Sequence, residues 1–175
     1  GCGQARQARG VTIEDLTRPG LAASVVAAMM GADAAAQAAD YPSSMGPLRV
    51  ETVAEGLDHP WSIAFLPDGR LLVTERPGRL RIVSQGAVGA PVAGVPQVAA
   101  VGQGGLLDIA LAPDFGTTGR LYLSYAEPAS QETGGRGQGT AVASATLATS
   151  GDSGRLSDIE VSFRMNRFTP TAIHF

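Results

Sequence analysis

Ser62-Ile-Ala-Phe-Leu-Pro-Asp-Gly-Arg-Leu-Leu-Val-Thr-Glu75 reads as strand, turn, strand, and most of it occurs twice. Ile63, Ala64, Pro67 and Asp68 return 46 positions later as Ile109, Ala110, Pro113 and Asp114. Gly69, Arg70 and Leu71 return 50 positions later as Gly119, Arg120 and Leu121, so the second copy carries four extra residues, Phe115 to Thr118, in its turn. Proline presets φ and glycine accepts positive φ, which makes Pro67-Asp68-Gly69 a turn between two extended runs. A repeat of strand, turn and strand every 46–50 residues has the period of a four-stranded propeller blade. Two unrelated hairpins would share turn residues, but not seven matches in register.

The surrounding sequence has the same texture. Leu48-Arg-Val-Glu-Thr-Val53 alternates, and Arg70 to Glu75 runs as a strand into the turn Arg76-Pro-Gly78. Arg79-Leu-Arg-Ile-Val83 alternates apolar with charged residues and ends at Gln85-Gly86. Alternation resumes from Thr140 to Leu147, Gly151-Asp-Ser-Gly154 is a further turn, and Ile159 to Phe163 reads as a strand. Short strands at this spacing predict an all-β domain of antiparallel hairpins. The Gly- and Gln-rich stretch between Glu127 and Gly139 is expected to be a solvated loop between strands.

The first 38 residues differ. Arginines in a basic start precede Leu-Ala-Ala-Ser-Val-Val-Ala-Ala-Met-Met, residues 21–30, and the small-residue exit Ala36-Gln37-Ala38. That order predicts a secretory signal peptide with its upstream residues, and hence a periplasmic protein. The apolar run is too short to span a bilayer. Residues 39–175 then form the folded part.

Composition excludes several functions. Apolar residues make up 44% and charged ones 17%, enough for a packed core. Thirteen basic residues, all arginine, face 16 acidic ones for a net charge of −3, a poor match to nucleic acid or an anionic membrane. The single cysteine, Cys2, excludes an internal disulfide and a Cys-based zinc site. Two histidines, His59 and His174, leave few options for a metal centre or general base. No P-loop, H-E-x-x-H, C-x-x-C or G-x-S-x-G occurs. Gly151-Asp-Ser-Gly154 has Arg155 where a serine protease needs a further glycine, and is read as a hairpin turn.

Two features carry chemistry. In Gly102-Gln103-Gly104-Gly105-Leu106-Leu107-Asp108, three glycines surround one polar side chain, so the backbone can bend sharply and a flat ligand can approach closely. Taken alone, the run reads as a bulge entering the strand at Leu106. His174 stands near the end of the sequence, where a structural role competes with that of a base whose pKa near ~6.5 suits proton abstraction at neutral pH.

The run from His59-Pro-Trp through Glu75-Arg76, followed by Gly102-Gln-Gly-Gly-Leu-Leu-Asp-Ile-Ala110 and by Ile173-His-Phe175, resembles the soluble glucose/sorbosone dehydrogenase family. More narrowly it is similar to the bacterial PQQ-dependent aldose sugar dehydrogenases, which are periplasmic six-bladed β-propellers. The resemblance implies oxidation of an aldose at C1 to the lactone by hydride transfer to PQQ, with calcium as the second cofactor. It places the general base on His174 and the substrate-hydroxyl contact on Gln103. PQQ and calcium ligands are expected outside this sequence: no lysine is present, and no residue here is assigned to the cofactor or to a metal. Residues 39–175 are nearly three repeats' worth of chain, whereas propellers close with roughly 4–8 blades. The expectation is the N-terminal part of such an enzyme, inactive by itself, with a sugar as substrate and an electron acceptor the sequence does not identify. The competing expectation is a non-catalytic β-propeller or β-sandwich binding module.

Overall fold

The turn at Pro67-Asp68-Gly69 and its longer copy are closed by the same backbone hydrogen bond. The Leu66 amide donates to the Arg70 carbonyl at 2.9 Å, and the Ala112 amide to the Arg120 carbonyl at 3.0 Å. The donors are 46 positions apart and the acceptors 50, which is the offset of the sequence repeat. These observations come from a computed structural model that describes residues 39–130, 136–166 and 168. The predicted export segment, residues 1–38, and His174 lie outside the described residues.

Each copy opens a four-stranded antiparallel meander. The first sheet comprises β3 (Pro60–Phe65), β4 (Leu71–Glu75), β5 (Arg79–Ser84) and β6 (Ala87–Pro91), in that spatial order. The second comprises β7 (Leu106–Leu111), β8 (Arg120–Pro128), β9 (Gln138–Ser150) and β10 (Ser153–Arg164), again in chain order. A short antiparallel ribbon of β1 (Ala39–Tyr41) and β2 (Leu48–Val50) precedes them. The fold is all-β, and the repeat corresponds to two propeller blades. Of nearly three blades' worth of chain, the described residues build these two complete sheets.

The four extra residues of the second copy form the one helical turn among the described residues, α1 (Phe115–Thr118). Gly119 ends it at φ +67°, the left-handed conformation that glycine adopts without steric cost, and its amide donates to the Phe115 carbonyl at 2.7 Å. β2 stops at Val50, short of the alternation that continues to Val53, because residues 51–53 find no partner strand. β9 and β10 are longer than their apolar alternation. They pair along most of their lengths, with irregularities between Ser157 and Glu160 and between Val161 and Phe163.

The core lies between the two sheets. Leu72, Leu80 and Ile82 of the first sheet meet Leu106, Leu121, Leu123 and Tyr125 of the second, with Ala141, Ala143 and Ala145 from the inward face of β9. Leu72, Val73, Thr74 and Glu75 are all buried, so β4 is covered on both faces, as in a stacked sheet. At the outer edge, Ala93 exchanges backbone hydrogen bonds with the second sheet, donating to the Gly154 carbonyl at 2.9 Å and accepting from the Leu156 amide at 2.8 Å. At the inner edge, the Thr74 hydroxyl donates to the Leu107 carbonyl at 2.6 Å and the Ser62 hydroxyl to Asp108 at 2.5 Å. Arg70 staples the two sheets at the turn end, donating to the Gly151 carbonyl and, at 3.1 Å, to the Thr149 hydroxyl.

Candidate functional site: the glycine-rich loop and the hollow beside Trp61

The loop of residues 102–105 is pressed against its neighbours in a way only glycine permits. Gly105 has φ +140°, and a Cβ there would lie 2.2 Å from the Arg76 carbonyl oxygen. At Gly104 a Cβ would meet the Ala99 carbonyl at 2.6 Å and the Ala126 Cβ at 2.9 Å. The flat approach expected of this run is therefore met by the protein's own backbone. The Ala126 amide donates to the Gly105 carbonyl at 2.8 Å, and the Gly104 amide closes a turn on the Val101 carbonyl at 3.0 Å. Gln138, buried at the start of β9, donates its amide to the Val101 carbonyl at 3.2 Å.

Gly104 and Gly105 are buried while Gln103 is exposed, so the loop lifts one polar side chain out of a rigid base. Gln103 stands on the wall of an open hollow of about 410 Å³, shared with Trp61, Arg76, Gly102 and Leu107. Trp61, the only tryptophan of the sequence, is 55% exposed and begins an outward row on β3 with Ile63 and Phe65. The hollow thus presents an indole and a carboxamide that can both donate and accept.

The end of β4 anchors this region. The Arg76 amide donates to the His59 carbonyl at 3.0 Å, and the Arg76 carbonyl accepts from the Leu106 amide at 3.0 Å. Glu75 is fully buried and accepts from the Asp58 amide at 2.6 Å, from Arg79 Nε at 2.5 Å and from Arg81 Nη1 at 3.4 Å. Arg79 also donates to Asp58 at 2.7 Å, and Arg81 to the Gly89 carbonyl at 2.9 Å. His59 occupies the turn, at φ +50°, with its ring against the Asp58 carboxylate. It does not line the hollow. Of the two sequence-predicted site residues, Gln103 is placed on the hollow and His174 falls outside the described residues. Trp61, Arg76 and Glu75 were not anticipated as site residues. The signal for them was their place in the strand-end segments Asp58-His-Pro-Trp61 and Glu75-Arg-Pro-Gly78.

The charged pairs predict an acid-labile fold. The hydrogen bond from Arg79, then that from His59, holds the Asp58 carboxyl below its ordinary value, and Arg70 does the same for Asp68. A carboxylate with a lowered folded pKa stabilises the protein at pH values above the unfolded pKa. That contribution is lost as pH falls through the folded pKa, so stability declines from about pH 4 downward. Thermal unfolding followed from neutral pH to pH 3 checks this, and Asp58→Asn is expected to flatten the acid limb. Both carboxylates are half-exposed, so salt weakens the effect.

The described residues do not by themselves make a PQQ or calcium site. The one guanidinium lining the hollow, that of Arg76, is turned onto two loop carbonyls, Gly102 and Gly104. Among the described residues, no group of three or more His, Cys, Asp or Glu side chains is arranged to hold a metal ion. No helix among them is long and apolar enough to cross a membrane.

Comparison with known proteins matches the chain to a family. The glucose/sorbosone dehydrogenase family profile matches residues 57–175. The chain is 44% identical over 131 residues to the aldose sugar dehydrogenase YliI of Escherichia coli (strain K12), covering 73% of this chain and 33% of that protein. It superposes on a crystal structure of a glucose dehydrogenase with 48% identity and a TM-score of 0.60, over 68% of this chain and 34% of the other. It also superposes on the PQQ-bound form of aldose sugar dehydrogenase from Streptomyces coelicolor with 28% identity and a TM-score of 0.53, over 74% and 35% of the two chains. The chain therefore spans about a third of the length of these relatives. On the extent of the profile match and the identity to the Escherichia coli protein, the chain belongs to the glucose/sorbosone dehydrogenase family.

Proposed function

We propose that this chain supplies part of the active site of a periplasmic, PQQ-dependent aldose dehydrogenase, exported by residues 1–38. The observation that carries this reading is the placement of Gln103 on the hollow beside the exposed indole of Trp61. A pyranose ring is flat on its C–H faces and ringed by hydroxyls. An indole face and a carboxamide are the complementary surface for it. Gln103 donates to or accepts from a sugar hydroxyl without competing for its proton. His174 takes the proton of the C1 hydroxyl as general base. The oxidising equivalents are those of PQQ with calcium, bound through residues beyond those that line the hollow.

The test is a chimera in which this chain replaces the matching third of the Escherichia coli relative, assayed with PQQ, calcium, an aldose and a reducible dye. The chimera is expected to turn over aldoses, and the 175-residue chain by itself to be inactive. His174→Ala is expected to lower kcat by about 10²–10⁴-fold, the usual worth of a positioned general base. Full activity in the His174→Ala chimera would remove the catalytic assignment and favour a non-catalytic binding module.

A further inference from the structure

Gln103 is flanked by two peptide carbonyls that point to the same cation. Arg76 Nη1 donates to the Gly102 carbonyl at 2.6 Å and to the Gly104 carbonyl at 3.2 Å. Two carbonyls converging on one point repel each other unless a donor lies between them, and a charged donor makes the stronger bond. Arg76 is itself fixed from both sides. Its amide is bonded to His59 ahead of β3, and its carbonyl to Leu106 at the start of β7. The missing Cβ of Gly105 is what lets that carbonyl come so close. One residue therefore ties together the start of β3, which carries Trp61, and the loop that carries Gln103.

We propose that Arg76 is the positioning residue for Gln103: by bridging the Gly102 and Gly104 carbonyls, its guanidinium sets where the Gln103 carboxamide meets a sugar hydroxyl. The clamp itself is independent of any ligand. Its consequence for sugar rests on the function proposed above, so the test has two arms.

The first arm measures amide hydrogen exchange in the 175-residue chain. Arg76→Ala is expected to speed exchange of the 102–106 amides by about tenfold or more, the loss of charged hydrogen bonds, while β5 and β9 keep their protection. Millimolar guanidinium is expected to restore protection, and Arg76→Lys to fall between, because both bonds come from Nη1 and the lysine ammonium ends one atom short of it. Unchanged exchange at 102–106, or a uniform rise over both sheets without guanidinium rescue, would overturn the clamp. The second arm compares the aldose KM and kcat of the chimera described above with those of its Arg76→Ala variant. Arg76→Ala is expected to raise KM by about tenfold, reversibly with guanidinium. An equal KM in the two would show that Arg76 does not position Gln103. A chimera that turns over no aldose would overturn the proposed function, and the exchange arm then decides the clamp alone.

Discussion

Replacing Glu75 with leucine is expected to lower the unfolding free energy by about 2–4 kcal/mol, the range for removing one partner of a buried ion pair, reduced because one partner can reach water. The carboxylate is fully buried and its oxygens serve three donors. Leucine leaves the Asp58 amide without an acceptor, leaves Asp58 as the one carboxylate on Arg79, and removes the carboxylate that Arg81 faces. Arg79, with 37% of its side chain exposed, can turn to solvent, whereas Arg81 at 17% has less room to do so. Glu75→Gln keeps an acceptor for the Asp58 amide and should cost less. Urea denaturation gives the result directly: the midpoint should fall while the m-value holds. A Glu75→Leu midpoint equal to that of the wild type would mean that the network contributes nothing net. Adding Arg81→Met should recover part of the loss, because well-packed apolar replacements for buried ion pairs are often neutral.

Gly105→Ala is expected to be comparably damaging, at about 2–4 kcal/mol, through left-handed strain together with a backbone collision. Relief would require the Arg76 carbonyl to retreat, which breaks its bond to the Leu106 amide and separates the sheets at their inner edge. Two other glycines separate the contributions. Gly69 has φ +87° with open space around its Cβ position, so Gly69→Ala isolates the conformational strain, about 1 kcal/mol. Gly116, in α1, has neither a positive φ nor a neighbour within 4 Å, so its replacement by alanine should be neutral or slightly stabilising. Thermal melts should rank the variants Gly116→Ala, Gly69→Ala, Gly105→Ala in falling order of Tm. Equal melting temperatures for the last two would exclude the collision.

The blades were legible because their signal is local and repeated. Pro67-Asp68-Gly69 and its copy announce turns, and the alternation in Leu80 and Ile82 announces a strand with one face in the core. Gln103 stands out between glycines, but the pattern alone reads as a bulge, and the residue is singled out by the family resemblance. Glu75 was not legible: it ends an apolar run of β4 and carries the charge typical of a surface position, and its burial follows from β4 being covered on both faces. Nor was Arg76 legible as a clamp, since Arg-Pro-Gly reads as a turn whatever its side chain does. Its partners, Gly102 and Gly104, lie 26 and 28 residues away and meet it only when the second sheet stacks on the first. Sequence pattern reports what a residue does to its own strand; contacts made by stacking need the assembled sheets.

The one-turn helix α1 also divides the protein by tolerance to change in length. It sits at the far end of β7 from the glycine-rich loop, a strand of six residues spanning about 20 Å. There the same closing bond accommodates four additional residues, as the Leu66–Arg70 and Ala112–Arg120 pairs show. At the loop end, backbone hydrogen bonds and glycine contacts fix the spacing to within a fraction of a side chain. Extra length is thus accommodated at that rim, where a short inserted tag is expected to be tolerated, whereas an insertion within residues 102–105 is expected to displace Gln103.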